Sequence, residues 1–196
     1  MTKRIVVVQG HPDRSERHLC HALADAYTEG AHGGGHEVRH LAVAELDFPL
    51  LRSAKAWQGT DVIADIEEAQ KQIAWADHLV ILYPLWLGTM PAILKAFMEQ
   101  LFRPGFAFSR EESSGAMGRK LLTGKSARVI VTMGMPAFFY RWFFRAHSLK
   151  SLERNILRFV GIRPVRTTLF GLVEGVSVAR REQWLNRVRA LGNRGL

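Results

Sequence analysis

Five short runs of apolar, largely β-branched residues punctuate the chain, and the segments between them carry apolar positions at helical spacing. Lys3-Arg-Ile-Val-Val-Val-Gln9, His78-Leu-Val-Ile-Leu-Tyr83 and Ala127-Arg-Val-Ile-Val-Thr132 are close to continuous in apolar character, as strands buried on both faces are. Glu37 to Leu41 and Val165-Arg-Thr-Thr-Leu-Phe170 read as the second and fifth strands. Leu19, Ala22, Leu23 and Ala26 share one face of a helix predicted from about Glu16 to Gly30, with Gly33-Gly34-Gly35 making the turn beyond it. Thr60-Asp61 reads as the cap of a helix running to about Trp75, with Ile63, Ile66, Ala69 and Ile73 inward. Pro91 opens a helix that runs through Leu101, and Leu152 to Val160 and Arg180 to Leu191 supply the last two. Residues 42–60 read as an irregular connection, and Phe102 to Lys125, with its turn glycines and the pair Ser113-Ser114, as a long loop.

Strands alternating with helices predict an α/β fold: one domain over residues 1–196, built on a doubly wound, five-stranded parallel sheet. Right-handed crossovers favour the order 2-1-3-4-5. Ligands of such sheets bind outside the carboxyl ends of the strands, which draws attention to three loops. Gly10-His-Pro-Asp-Arg-Ser15 is polar and faces a helix N-terminus, where free N–H groups and the helix dipole favour a phosphate. It is neither a Gly-x-Gly-x-x-Gly fingerprint nor a P-loop, but Ser15, Arg17 and His18 offer side-chain donors; His11 reads either as part of that set or as a turn histidine bonded to its own loop. The second loop, Pro84-Leu85-Trp86-Leu87, is bulky and apolar where a solvated turn would carry Ser, Asp or Asn. It reads as a wall for a flat aromatic ligand, or as a loop packed into the core or a subunit interface. The third loop, Thr132 to Pro136, leads into Ala137 to His147, whose six aromatic residues imply a pocket, a partner subunit or a lipid surface.

Composition narrows the classes. With 47% hydrophobic residues the chain supports a sizeable core, and no apolar run approaches the roughly 20 residues that span a bilayer. The N-terminus reads as a first strand, not a secretory peptide. Cys20 is the single cysteine, which excludes an internal disulfide and a multi-cysteine metal site and points to a reducing, cytoplasmic setting; it reads as a small buried helix residue. The formal charge of +9 raises nucleic acid as a partner, but the arginines are spread from Arg4 to Arg194 and no basic run alternates with aromatics. A surface that attracts phosphorylated dinucleotides or anionic substrates fits that distribution better, and no nucleic-acid role is expected.

At the three loops the chain resembles the flavodoxin-like NAD(P)H–quinone oxidoreductase family, which includes DT-diaphorase and bacterial flavin-dependent reductases. The resemblance rests on Gly10-His11-Pro12 with Ser15, on Tyr83-Pro84-Leu85-Trp86-Leu87-Gly88 with Pro91-Ala92-Ile93-Leu94-Lys95, and on Gly105-Phe106-Ala107-Phe108. Leu122-Thr-Gly-Lys125 and Gly161-Ile162 extend it over nearly the whole chain. It implies a non-covalent flavin, FMN with FAD as the alternative, whose phosphate lies against His11, Ser15, Arg17, His18 and Leu19. The ring would lie along Pro84, Leu85, Trp86 and Leu87 and against Thr132, Met133 and Gly134. It further implies NAD(P)H as co-substrate, a quinone or nitro-aromatic acceptor, ping-pong exchange of the two, and Tyr140 and His147 as the groups that steady the reduced flavin's charge. Three positions differ from the family pattern. Met133 stands where a glycine is frequent, implying a bulkier pocket floor; Leu87 replaces an aromatic; and the Tyr140–His147 spacing is one residue longer.

Two other functions compete with the reductase. One is a flavin-binding accessory subunit that regulates a partner such as an ion-efflux system, with 138–144 as its contact surface. The other, a one-electron carrier, suits a basic chain without a Thr-rich phosphate loop poorly. The aromatic segment also predicts a homodimer.

Overall fold

The computed structural model describes residues 1–109 and 118–196. Within them the chain forms β1 (Arg4–Gln9), α1 (Leu19–Gly33), β2 (Glu37–Ala42), a 3-10 turn (Val43–Glu45), α2 (Ala54–Gln58), α3 (Ala64–Trp75), β3 (His78–Pro84), α4 (Ala92–Leu101), β4 (Ser126–Thr132), α5 (Ala137–Trp142), α6 (His147–Ser151), α7 (Arg158–Val160), β5 (Val165–Phe170) and α8 (Val178–Asn193), with a π turn, Leu152–Leu157, joining α6 to α7. The middle of the predicted 102–125 loop, including Ser113-Ser114, lies outside the described residues.

The sheet is parallel throughout with order β2-β1-β3-β4-β5, as the alternation of elements predicts. Every residue of β3 is buried, in keeping with its unbroken apolar run. Alternate side chains feed two cores. Val6, Val8, Leu79, Ile81, Tyr83, Val129 and Val131 pack with Ile66 and Ile73 of α3 and Leu94 and Phe97 of α4. On the other face Ile5, Val7, Val80, Leu82 and Ile130 pack with Leu23 and Tyr27 of α1 and Val188 and Leu191 of α8.

α1 and α8 approach each other backbone to backbone. A Cβ at Gly30 would lie 1.9 Å from Arg189 O, and one at Gly192 would lie 2.0 Å from Tyr27 O. Such spacing admits no side chain, so these two glycines set how deeply α8 seats.

Three boundaries differ from the sequence reading. α1 begins at Leu19, three residues beyond Glu16, because residues 11–18 are organised by their own hydrogen bonds. α3 begins at Ala64 with Ile63 at its N-cap, and neither Thr60 nor Asp61 caps it. The cause is Arg103, buried to 4% exposure, whose guanidinium takes the carbonyls of Ala56, Gly59 and Asp61 at 2.6–2.9 Å and holds the segment as α2 and a turn. The helix predicted from Leu152 starts instead at His147, and residues 152–157 have π pitch.

Candidate functional site

The carboxyl ends of β1, β3 and β4 bring the three loops into contact. Gly10 N–H donates to Leu82 O at 2.8 Å, and Leu85 N–H to Thr132 O at 2.7 Å. A Cβ on Gly10 would come within 2.6 Å of the Leu94 side chain, so only glycine lets the first loop lie against the end of β3. Cys20 Sγ sits 3.1 Å from Thr132 Oγ1, tying the first turn of α1 to the end of β4. Burial pushes that thiol up to about 12, so Cys20 is a packing residue and not a thiolate.

The first loop is built around Asp13. Its carboxylate accepts from Ser15 N–H at 2.8 Å and Ser15 Oγ at 2.6 Å, and faces His18 Nε2 at 2.7 Å. Hydrogen bonds from Ser15, then from His18, hold the Asp13 carboxyl far below the usual carboxylate range. His11 stacks on His18 with ring centroids 4.0 Å apart and lies 5.2 Å from His21. Burial, and next the neighbouring His18, push the His11 and His21 rings below the ordinary histidine value. His18 is the N-cap of α1, and its N–H donates to the ring of His21 at 3.0 Å, half of a capping box with histidine in place of glutamate. His11 also bonds within its own loop, accepting Asp13 N–H at 3.2 Å and donating its backbone N–H to Gln9 Oε1 at 3.0 Å. Arg17 is paired with Asp25, and Leu19 packs against the α1/α8 core.

A hollow of 340 Å³ opens beside this loop, lined by the donors Gln9, His11, Ser15, Arg17 and His21 and also by the acidic Asp13, Glu16, Asp25 and Glu45. Gln9 is buried, and its amide nitrogen has no partner. An unpaired buried donor costs stability unless something completes it, so Gln9 belongs with the candidate phosphate donors. The sequence reading passed over it; the signal was one polar residue closing an otherwise apolar strand. The residues fit a phosphate: hydroxyl, imidazole, guanidinium and amide donors meet at the N-terminus of α1, whose first turn has no acidic residue.

The second loop is a tight hairpin. Trp86 N–H and Thr89 N–H bond each other's carbonyls at 2.9 and 3.0 Å, and the two residues between, Leu87 and Gly88, have φ of 46° and 79°. Paired positive φ values make a type I′ turn, which favours Asn-Gly over Leu-Gly. Leu87 is fully exposed and Trp86 is 49% exposed, with the Trp86 ring edge-on to His11 at 6.1 Å. Pro84 is buried at the end of β3, and Leu85 packs into the core on the α3/α4 side.

On the third loop Thr132 closes β4 and Gly134 is exposed. Met133 is buried in the α3/α4 core, with its N–H bonded to Phe170 O and its carbonyl to Val173 N–H. The bulkier floor expected from Met133 is therefore absent, because its side chain turns away from the loop surface.

Tyr140 and His147 line one hollow of 360 Å³ with Leu87, Gly88, Met135 and Ser148. Tyr140 is 1% exposed; its phenol oxygen lies 2.8 Å from Ser148 Oγ and accepts Leu149 N–H at 3.3 Å. His147 is exposed. A neighbouring hollow of 530 Å³ runs from Trp86 and Leu87 along the start of α4 to Lys95 and Ser151. Phe138, Trp142, Phe143 and Phe144 stand exposed around α5, with Phe143 stacked on Phe139.

Among the described residues, no set of three or more His, Cys, Asp or Glu is placed to hold a metal ion, and no helix is long and apolar enough to cross a membrane. A family model described as flavodoxin-like fold matches residues 3–191. The chain is 29% identical over 158 residues to a ribosyldihydronicotinamide dehydrogenase-like protein of Penicillium crustosum, covering 67% of this chain and 57% of that one. It is 30% identical over 144 residues to FMN-dependent NADH:quinone oxidoreductase 2 of Halalkalibacterium halodurans, covering 64% and 68%. The NAD(P)H:quinone oxidoreductase of Methanothermobacter marburgensis has a similar fold, with a TM-score of 0.82 at 23% identity over 98% of this chain and 96% of that one. The chain belongs to the flavodoxin-like family.

Proposed function

We propose that the chain is a flavin-dependent NAD(P)H oxidoreductase that reduces quinones or related electrophilic aromatic compounds. The observation that carries this reading is the meeting, at one rim of the sheet, of a donor-rich loop at a helix N-terminus with the apolar ledge Pro84–Leu87. The name of the Halalkalibacterium halodurans relative, an FMN-dependent NADH:quinone oxidoreductase, supports both the reaction class and FMN over FAD.

Gln9, His11, Ser15, Arg17, His18 and Leu19 would hold the phosphate end. Pro84, Leu85, Trp86, Leu87, Thr132, Met133 and Gly134 would line the ring's side of the site, with Trp86, Leu87 and Gly134 exposed there and Met133 held beneath by its own bonds to Phe170 and Val173. When bound, the flavin supplies the hydride chemistry, so the protein has to bind, orient and tune it and admit two substrates in turn. His147, exposed on the same hollow as Leu87, would hold a proton on its ring near the acceptor. Tyr140 would act on that hollow through Ser148, whose hydroxyl it touches. Hydrogen-bond donors there, the Ser148 hydroxyl and the His147 ring, favour an anionic reduced cofactor. One hollow serving both substrates in turn suits ping-pong exchange.

Protein purified without added flavin should be yellow, release FMN on heating, and oxidise NADPH or NADH with menadione, giving parallel double-reciprocal lines. A colourless protein that takes up neither FMN nor FAD overturns the reading. The exposed aromatics of 138–144 favour burial against a second copy of the chain, and a dimer mass by light scattering is expected. They also favour a second reading, an accessory flavoprotein acting on a partner, which bound flavin without appreciable quinone turnover would select.

A further inference from the structure

The donors expected to receive a phosphate already hold an anion. Ser15 N–H, Ser15 Oγ and the His18 ring all converge on the two carboxylate oxygens of Asp13, at 2.8, 2.6 and 2.7 Å. The first turn of α1 has no acidic residue of its own, and of the carboxylates around the hollow, Asp13, Glu16, Asp25 and Glu45, Asp13 is the one that holds Ser15 and His18. Its hydrogen bonds keep it ionised well below the usual range. Meanwhile the amide nitrogen of Gln9, buried on the same hollow, has no partner, while its oxygen accepts His11 N–H. The loop thus has a satisfied half, closed on Asp13, and an unsatisfied half that awaits a ligand.

We propose that Asp13 is an internal anion that competes with the ligand's phosphate for Ser15 and His18, and so sets how strongly the site prefers phosphorylated over unphosphorylated flavin. This rests on the flavin reading above. A phosphate dianion brought to Ser15 and His18 meets a carboxylate bound to the same donors. Like charges that close cannot share one set of donors without loss, so the carboxylate has to leave as the phosphate enters. The exchange lowers the affinity for FMN below what the donor set would otherwise give. Riboflavin, which lacks the phosphate, is bound without any exchange. Asp13 is therefore a specificity-determining residue that need not touch the ring or the reacting atoms.

The Asp13→Asn variant separates charge from shape. Asparagine keeps an oxygen that accepts from Ser15 N–H, so the turn is retained, but it carries no charge. Dissociation constants for FMN and for riboflavin, from quenching of flavin fluorescence, are measured on wild type and variant after the resident flavin is removed. The expected result is FMN binding tightened about tenfold in Asp13→Asn with riboflavin unchanged, equivalent to roughly 1.4 kcal/mol. Asp13→Ala, which removes the acceptor as well, should keep part of that gain. An FMN-to-riboflavin ratio that stays the same or falls in Asp13→Asn overturns the proposal, because Asp13 would then only shape the loop. If neither flavin binds either protein, the flavin reading falls and this inference with it; binding with an unchanged ratio sinks this inference alone.

Discussion

At the carboxyl end of the sheet, His11 stacks on His18 and both lie near His21 beside an open hollow, where Asp13 faces His18 and Asp25 lies near His21. At the amino end of the same sheet most polar groups are bonded into the framework, although His36 Nε2, His78 Nε2 and Arg128 Nε have no partner. His78 is 1% exposed and bonds Ser126 Oγ at 2.7 Å, Arg128 donates to Thr168 Oγ1 at 2.8 Å, and Arg4 pairs with Asp77 at 2.7 Å. Lys125 Nζ caps the end of α3 through the carbonyls of Ala74 and Ala76, and Lys3 Nζ holds Gly195 O. Residue types that look alike in composition thus close one end and leave the other able to exchange partners. The formal charge of +9 is split accordingly, and much of it is committed to structure before any ligand arrives.

The contrast makes predictions, beginning with the closed end. Gly192→Ala places a methyl 2.0 Å from Tyr27 O, where α8 cannot retreat without opening the core against β1 and β3. A loss of about 4 kcal/mol is expected, seen as a fall in Tm of roughly 10 °C; a melt unchanged within a degree or two would show that α8 is not seated by this contact.

Acid should act on the same end. Burial, and next the charge of Lys3, lower the His78 pKa to about 3, against 6.5 for the free side chain. The unfolded chain therefore takes up a proton between those values and the folded chain does not, so stability falls as pH drops below 6.5 and levels off below about 3. At pH 5 the loss is about 2 kcal/mol. Urea unfolding at pH 7 and pH 5 should show it in wild type, and the difference should shrink in His78→Gln. An equal difference in both proteins would move the acid sensitivity elsewhere.

The smallest effect on the fold belongs to the open end. Trp86→Ala removes a half-exposed ring from a turn held by its own backbone bonds, so stability should move by no more than about 0.5 kcal/mol. Flavin affinity should weaken about tenfold, the scale of one aromatic stacking partner. If Tm falls while flavin binding is retained, the roles given to the two ends are reversed.

Much of the framework was readable in advance because it rests on period and propensity. The largely apolar 78–83 run and the 165–170 run became β3 and β5 nearly residue for residue, and the sheet order followed from element count and handedness. The gathering of 11–19, 84–88 and 132–134 at one rim followed from that order. Details governed by a distant partner were not readable. Thr60-Asp61 has the composition of a cap, yet the carbonyl of Asp61 answers to Arg103, 42 residues away. Which way Met133 points depends on backbone bonds to Phe170 and Val173 that local sequence does not encode. Gln9 closes β1 as expected, but the unpaired nitrogen of its buried amide shows only in three dimensions.

The π turn at Leu152–Leu157 bears on which side chains reach the hollow beside Lys95. A π turn is in effect one extra residue taken up inside a helix. Side chains on either side of it are rotated relative to one another, so Ser148 and Ser151 before it and Ile156 within it all reach the hollow beside Lys95. Removing a single residue there would restore regular winding, leave β5 in place, and swing Ile156 off the surface it now shares with Trp86 and Leu87.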